Sequence, residues 1–275
     1  EKQYVVTGVS PDDPEFIDLQ RFRNVIVFGG PDDPYLQEAA EAGGFVLSTL
    51  EPGRVFQAYD VWALNQQVTA VYLRRGNEAA TWREALPSVL TAIDQSFREY
   101  VHNRMFATPP DSTLSRELSE RFGFSMTVPE LYDRVARETE PGDSLVILRN
   151  DNPDPASLIR SLLVDWRPTV DSLTVELALQ WRESLDDVQY NVAQGIDTSH
   201  SAITEFTVDG RPALEVTGVW NDIRGNFPAA GPFMVWLVDC PGRTYFIDAW
   251  LYAPNEPKYE YMLQLQEILG SFRCG

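Results

Sequence analysis

The segment Thr244-Tyr-Phe-Ile-Asp-Ala-Trp-Leu-Tyr-Ala-Pro254 decides the fold, because it is a long apolar run interrupted by a single carboxylate. Apolar residues at both odd and even positions are typical of a central strand that is covered on both faces. Residues 233–240 have the same character, and Pro241-Gly242 between the two segments predicts a tight turn. We therefore expect these segments to form the centre of an antiparallel sheet.

Turn and helix signals on either side extend this sheet. Asp209-Gly210 separates two alternating segments, residues 203–208 and 213–220, and this dipeptide accepts the positive φ angles of a tight hairpin turn. After the central strands, Pro257 begins a helix with an apolar stripe of Tyr261, Leu265, Ile268 and Phe272. The sequence therefore predicts the α+β class, with an antiparallel sheet flanked by helices.

The first part of the chain predicts a smaller set of similar elements. Residues 24–28 indicate a buried strand, residues 35–42 a helix, and residues 54–62 and 66–73 paired strands. Residues 78–105 predict a long helix, which Pro87 either kinks or begins. Its expected core-facing stripe consists of Trp82, Leu86, Leu90, Ile93, Phe97 and Val101.

We place a boundary near residue 150, between an N-terminal α+β half, residues 1–150, and a C-terminal α+β half, residues 151–275. The segment Arg149-Asn-Asp-Asn-Pro-Asp-Pro155 is polar and proline-rich, as hinges between domains often are. The alternative is a hairpin loop inside one continuous domain. Asp60-Val-Trp62 and Asp248-Ala-Trp250 each precede a helix that ends in Ser-Phe-Arg, which leaves open that the two halves are related by duplication.

The charge of the chain narrows the classes of partner. Its 275 residues include 22 Lys and Arg against 41 Asp and Glu, a formal net charge of −19. We expect no nucleic-acid partner, because a phosphate backbone would be repelled and no basic run exceeds Arg74-Arg75. No apolar run reaches the roughly 18 residues of a membrane span, and the first residues lack the pattern of a signal peptide.

The two cysteines, Cys240 and Cys274, are candidates for a disulfide. Cys240 ends a predicted strand and Cys274 follows the last predicted helix, so packing of that helix on the sheet could bring them together. A bond would indicate an oxidising compartment and would stabilise the fold by roughly 3 to 4 kcal/mol. The alternative is two small buried side chains that never meet.

The C-terminal segments resemble the bacterial family called domain of unknown function 4837. The motifs that carry the resemblance are Gly218-Val-Trp220, Gly231-Pro-Phe233, Asp248-Ala-Trp-Leu-Tyr-Ala-Pro254 and the helix through Phe272, with Asp60-Val-Trp62 and Gln66-Gln67 as a weaker match. This resemblance implies an exported lipoprotein of a Bacteroidetes-type cell envelope, on the periplasmic or outer-membrane surface, with its leader removed. The closing unit is also similar to the PsbP and Mog1-like fold, which implies an architecture and no activity.

Two groups of residues have the composition of a catalytic site. Asp197-Thr-Ser-His-Ser201 contains every residue type of a hydrolytic triad, but neighbours in one segment rarely reach triad geometry, and no Gly-x-Ser-x-Gly occurs. The other histidine is His102. Asp239 and Asp248 lie within apolar strands and would suit a glycosidase if about 5–10 Å apart, while their structural interpretation is pairing with backbone or Arg243.

Two further groups suggest ligand binding. Three acidic segments offer oxygen ligands that could suit calcium: Pro11-Asp-Asp-Pro14, Pro31-Asp-Asp-Pro34 and Asn150-Asp-Asn-Pro-Asp154. None of them has the residue spacing of a calcium-binding loop. We therefore interpret them as helix caps and turns. An aromatic cluster would line a ligand groove or simply fill the core. Its members are Trp220, Phe227, Phe233, Trp236, Phe246 and Trp250.

These observations favour a non-catalytic component of the cell envelope that binds or assembles with another protein, without a cofactor or metal and with contact to a membrane only through a lipid anchor. Two alternatives remain. The first is an envelope hydrolase that uses acidic residues such as Asp239 and Asp248. The second is a small-molecule carrier with an aromatic-lined groove. No residue in the sequence identifies a reaction, so an enzyme is not the expected class.

Overall fold

The computed structural model of the protein describes residues 5–135, 145–185, 194–223 and 229–275, apart from the side chain of Thr198. The chain divides into two compact units, with the boundary between Tyr100 and Val101. We call the part up to Tyr100 the N-terminal unit and the part from Val101 to Gly275 the C-terminal unit. Among the described residues, no helix has the length and apolar character needed to cross a bilayer.

The N-terminal unit is built on a three-stranded sheet. Its elements are α1 (Phe16–Leu19), β1 (Asn24–Gly29), α2 (Pro34–Ala42), a 3-10 turn (Leu47–Thr49), β2 (Val55–Tyr59), β3 (Gln67–Tyr72) and most of α3 (Glu78–Met105). Strand β3 lies in the centre, parallel to β1 and antiparallel to β2. Asp33 begins α2, because its carboxylate accepts the otherwise unpaired N–H groups of Tyr35 and Leu36.

Helix α3 contacts the sheet through a different side from the one expected. It is helical from Glu78 to Met105 with Pro87 inside it. Ala85 and Val89 are buried against β3, whereas Leu86 and Leu90 are 37% and 45% exposed. The prediction was wrong for these two leucines because it followed the large apolar residues, while the helix approaches the sheet through smaller ones.

The C-terminal unit is built on a seven-stranded sheet. After α3 come α4 (Ser112–Glu117), a π-helical turn (Leu118–Phe122), β4 (Phe124–Ser125), β5 (Asp133–Arg134), β6 (Leu145–Asn150), β7 (Ile159–Arg167), α5 (Val175–Ser184), β8 (Gln194–Val208), β9 (Arg211–Asp222), β10 (Ala230–Cys240), β11 (Arg243–Tyr252), α6 (Lys258–Gly270) and β12 (Arg273–Cys274). The strand order is β5-β6-β7-β11-β10-β9-β8, and every neighbouring pair is antiparallel. The α+β class predicted from the sequence is confirmed.

The central hairpins follow the expected pattern. Asp209 and Gly210 connect β8 to β9 with φ angles of 51° and 72°, which are the left-handed values this turn requires. Strands β10 and β11 are covered on both faces, as predicted. Met234, Trp236 and Val238 lie on the face that packs against α6, and the alternate residues of β10 lie on the face that packs against α5. We call these the α6 face and the α5 face.

The segment near residue 150 connects two paired strands. Strand β6 ends at Asn150, and β7 returns antiparallel to it from Ile159. The hairpin alternative therefore describes this segment, and the boundary between compact units falls at Tyr100 instead. The two matching tripeptides also occupy different positions, since Asp60 follows β2 with a φ of 54° while Asp248 lies within β11.

Candidate functional site

Asp248 lies at the centre of the seven-stranded sheet and is fully buried. It sits on β11 between Val235 of β10 and Leu163 of β7, with its side chain on the α5 face. Arg182 of α5 meets it there: the Nε atom is 2.9 Å from Oδ2, and the side chains are 1% and 0% exposed. Because a buried charge is costly without a counter-charge, this pair explains how a carboxylate is tolerated in an apolar strand.

Other polar groups surround this ion pair. Arg182 also donates to the Gln194 side chain, and its guanidinium carbon lies 4.5 Å from the Phe233 ring centroid. One residue earlier in α5, the Trp181 Nε1 donates to Asp165 Oδ2 at 2.6 Å. We call Asp165, Trp181, Arg182, Gln194 and Asp248 the α5 polar cluster. Its members bond one another beneath α5, so the cluster fixes that helix on the sheet and leaves Asp248 out of reach of a substrate.

Asp239 and Asp248 do not form a catalytic carboxylate pair. Asp239 pairs with Thr244, four residues along β11 from Asp248 and on the same face. Four residues of strand span about 13 Å. This exceeds the separations of about 5 to 9.5 Å used by retaining and inverting glycosidases. Arg243, the other expected partner, donates from Nη1 to the Phe122 carbonyl at 3.0 Å.

The Asp197–Ser201 segment brings its three polar residue types into contact, but not as a triad. The Nδ1 atom of His200 lies 2.9 Å from Asp197 Oδ2 and 3.0 Å from Ser199 Oγ. A triad requires the acid and the nucleophile on opposite ring nitrogens. Here both approach the same nitrogen, and the Ser199 hydroxyl lies 2.5 Å from the other Asp197 oxygen. His200 is 70% exposed, so this is a surface cluster at the bulge in β8.

The same contacts change the acidity of Asp197. Hydrogen bonds from the Ser199 hydroxyl, and then from His200 and the Ser199 backbone, lower the pKa of the Asp197 carboxyl to about 2. All of these bonds favour the charged form. His102, the other candidate histidine, lies in α3 with Nδ1 3.1 Å from Glu267 Oε2 of α6, on the surface of the C-terminal unit.

The side chains of the acidic loops accept hydrogen bonds from nearby backbone N–H groups. Asp33 caps α2, Asp13 accepts the N–H of Glu15, and Asp154 accepts the N–H of Ala156. Asn150 accepts both the N–H of Asn152 and a bond from Arg160. Within the residues that the structure describes, no three His, Cys, Asp or Glu side chains are grouped as metal ligands.

The aromatic cluster does not line one groove. Trp236 points to the α6 face, while its described companions are buried on the α5 face. Those companions are Trp220, Phe233, Phe246 and Trp250. Phe227 lies outside the described residues. The rings divide between the two faces because successive side chains of a strand point to opposite sides of the sheet. We therefore assign these rings to the hydrophobic core.

An open cleft lies elsewhere, in the N-terminal unit between β2 and α3. Its volume is about 640 Å³, and its lining includes Phe45, Arg54, Phe56, Tyr59 and Thr91. The lining contains neither a carboxylate nor a histidine. The cleft therefore offers a mixture of apolar and neutral polar side chains with one cation, Arg54, and lacks an acid–base pair.

The structure joins Cys240 and Cys274 in a disulfide. Cys240 ends β10, and Cys274 lies in β12, which pairs with β4. The bond therefore ties the end of a central strand to the end of the chain.

One further polar cluster, around Arg160 of β7, was not predicted from the sequence. Arg160 is only 9% exposed on the α6 face. It donates from Nη1 to Gln264 Oε1 at 2.9 Å, and from Nη2 to Asn150 Oδ1 at 2.8 Å and to the Asn152 carbonyl at 3.0 Å. Tyr132 is buried close by; burial raises the pKa of its hydroxyl, and the Arg160 cation opposes that rise. The only indication available in the sequence is a single arginine within the otherwise uncharged segment from Ser157 to Val164.

The geometry defines the C-terminal unit as an antiparallel sheet with helices on both faces, and the part of this unit that the structure describes contains no assembled catalytic constellation. The chain belongs to the family described as domain of unknown function (DUF4837), whose family model matches residues 111–271. The match covers the sheet and both of its covering helices. No curated protein sequence matches the chain.

The chain is also similar to solved structures of PsbP and Mog1. The cyanobacterial PsbP of Synechocystis sp. PCC 6803 is 13% identical, with 57% of this chain and 89% of that one covered and a TM-score of 0.37. The Ran-binding protein Mog1p of Saccharomyces cerevisiae is 19% identical, with coverages of 55% and 90% and a TM-score of 0.36. A protein of Bacteroides thetaiotaomicron is 7% identical, with a TM-score of 0.34; the match covers 56% of this chain and 45% of that one.

Proposed function

We propose that the protein is an exported, non-catalytic component of the cell envelope that binds another protein. The observation that carries this proposal is an apolar surface in the N-terminal unit, formed by the exposed residues Phe28, Leu86 and Leu90 together with the half-buried Trp82, which we call the Phe28 patch. Phe28 is 58% exposed and its ring lies 5.0 Å from that of Trp82. Contiguous exposed apolar side chains typically mark a protein interaction site.

The elements under the patch support a protein partner. Phe28 belongs to β1, an edge strand of the three-stranded sheet. Trp82, Leu86 and Leu90 are spaced by four residues, so they align along one side of α3. An edge strand beside an apolar helix stripe is suited to an extended segment that adds to the sheet and buries its own apolar residues.

The disulfide and the family resemblance support the proposed location. Disulfides persist mainly in oxidising compartments such as the periplasm and the cell surface, and the bond between Cys240 and Cys274 closes 34 residues. The family resemblance, which implies an envelope lipoprotein, supports the same compartment. A lipid anchor is part of this proposal.

The two alternatives have less support. A hydrolase would need an accessible acid–base pair, but Asp248 is sealed under α5 and the Asp197 cluster has both partners on one histidine nitrogen. A carrier with an aromatic groove would need the cluster on one face, and its described members divide between two.

The test is affinity isolation from cross-linked membranes of the native cells, followed by mass spectrometry. We expect the unmodified protein to retain a specific protein partner, and the double variant Leu86→Glu/Leu90→Glu to lose it, because two carboxylates in the interface would be desolvated. Both positions are already exposed, so this variant should keep its free energy of unfolding within about 0.5 kcal/mol per substitution.

Leu64→Glu is the matched control. Leu64 is 88% exposed and lies in the β2–β3 connection, at the opposite end of the sheet from Phe28, which pairs with Val71. This variant should retain the partner. The proposal fails if the double variant retains the partner as well as the control does, or if cell fractionation finds the protein in the cytosol.

A further inference from the structure

Arg160 is a buried cation whose described partners are all neutral. The oxygens it reaches belong to the Gln264 amide, the Asn150 amide and the Asn152 backbone. The Tyr261 ring lies 5.5 Å away. Among the residues that the structure describes, no carboxylate forms an ion pair with it. Its positive charge is therefore solvated by dipoles alone.

Two hydrogen-bond donors in this cluster are unused. The Arg160 Nε and the Tyr132 Oη are buried and have no hydrogen-bond partner in the described structure. Tyr132 precedes Asp133, which pairs with Arg149, so it lies beside Asn150; Asn150 in turn pairs with Arg160. The register thus places Tyr132, Asn150 and Arg160 in one row across three strands.

The rest of the unit shows how a buried arginine is normally compensated. Arg182, on the other face of the same sheet, has the Asp248 carboxylate 2.9 Å away. Buried charges are generally paired, and buried donors are almost always bonded, because an unmet donor keeps its full desolvation cost. The Arg160 cluster lacks both a negative charge and two acceptors, which is what an anionic ligand would bring.

We propose that Arg160 and Tyr132 bind the carboxylate group of a small organic acid. One monoanion neutralises the single positive charge, and its two oxygens match the two unused donors. A phosphate dianion would instead leave excess negative charge buried in a chain that already carries −19. Burial keeps the Tyr132 hydroxyl protonated, so it remains a donor. The site lies in the C-terminal unit and is independent of the Phe28 patch.

Acetate is the probe for this site. The full chain is titrated with sodium acetate at constant ionic strength, balanced with sodium chloride, while the Tyr132 ring carbon bonded to oxygen is followed by NMR. We expect a saturable shift. Tyr132→Phe removes one hydrogen bond and should weaken acetate by about tenfold. Arg160→Lys replaces the planar guanidinium group and should weaken acetate binding further. The Tyr132 NMR signal and calorimetry both measure this affinity.

Arg149→Lys is the matched control, since Arg149 lies one residue from Asn150 and is paired with Asp151. It should bind acetate as the unmodified chain does. Tyr132→Phe removes only a hydroxyl that has no partner, so it keeps the test decisive even if Arg160→Lys does not fold. The proposal is overturned by a linear response to acetate, by equal affinity in Tyr132→Phe, or by tighter binding of phosphate than of acetate.

Discussion

Arg182 and Asp248 show what one buried charge requires of its surroundings. Asp248 occupies a position on β11 where the neighbouring strands contribute Val235 and Leu163, so the sheet itself offers it no counter-charge. The charge comes from a helix more than 60 residues earlier in the chain, and Phe233 packs over the guanidinium. A buried ion pair of this kind fixes the orientation of α5 on the sheet more than it raises the free energy of unfolding.

Breaking this pair on one side should be costly. We expect Arg182→Met or Asp248→Leu to lower the free energy of unfolding by about 3 to 5 kcal/mol, because each leaves an uncompensated buried charge. The double variant should recover most of the loss. Urea unfolding followed by tryptophan fluorescence measures all three. As a control, Arg273→Met at the exposed pair with Asp209 should cost less than about 1 kcal/mol. Additive losses in the double variant would contradict this account.

Asp197 provides a prediction of acidity. NMR titration of its carboxyl carbon should give a pKa of about 2, against an ordinary value of 3.8, and Ser199→Ala should raise it because the Ser199 hydroxyl makes the largest contribution. Since the folded-state pKa is lowered, the associated stabilisation is present above pH 3.8 and is lost as the pH falls toward 2. An unchanged pKa in Ser199→Ala would show that the hydroxyl does not bond the carboxylate.

At the scale of elements, sequence patterns correctly predicted the features that depend on a few neighbouring residues. Asp209-Gly210 located a hairpin, and continuous apolar runs located the two central strands, because turn geometry and burial on both faces act over a few residues. Helix α3 shows the limit: Leu86 and Leu90 suggested a buried stripe, but Ala85 and Val89 make the contact. The partner of Asp248 and the cluster around Arg160 depend on pairings between distant elements, which composition and spacing do not reveal.

The disulfide links two strands, β10 and β12, that the fold brings close together. It joins β10 to β12 across 34 residues, so it restricts the unfolded chain. We expect Cys240→Ala/Cys274→Ala to lower the free energy of unfolding by roughly 3 to 4 kcal/mol. Dithiothreitol should cause a similar loss in the unmodified protein and none in the variant, when urea unfolding is compared with and without reductant. Two free thiols in the unreduced, urea-unfolded protein would contradict the bond.

At the scale of the whole molecule, charge is the dominant feature. The chain has 19 more acidic than basic residues, and only two of its cations are lysines, Lys2 and Lys258. Some of the arginines form ion pairs with carboxylates, as Arg98 does with Asp94 and Arg104 with Glu260. The remaining carboxylates repel one another across the surface. Such self-repulsion favours solubility and opposes the compact state.

Screening this repulsion should therefore stabilise the protein. Raising sodium chloride from about 0.1 M to about 1 M shortens the screening length from about 10 Å to about 3 Å. We expect the free energy of unfolding, measured with urea, to rise over this range. Glu51→Gln/Glu130→Gln/Glu205→Gln removes three negative charges at exposed positions and should reduce the rise. The same salt also weakens ion pairs on the surface. A fall in the free energy of unfolding would therefore contradict the prediction, because it would mean that attraction between opposite charges outweighs the repulsion among the excess carboxylates.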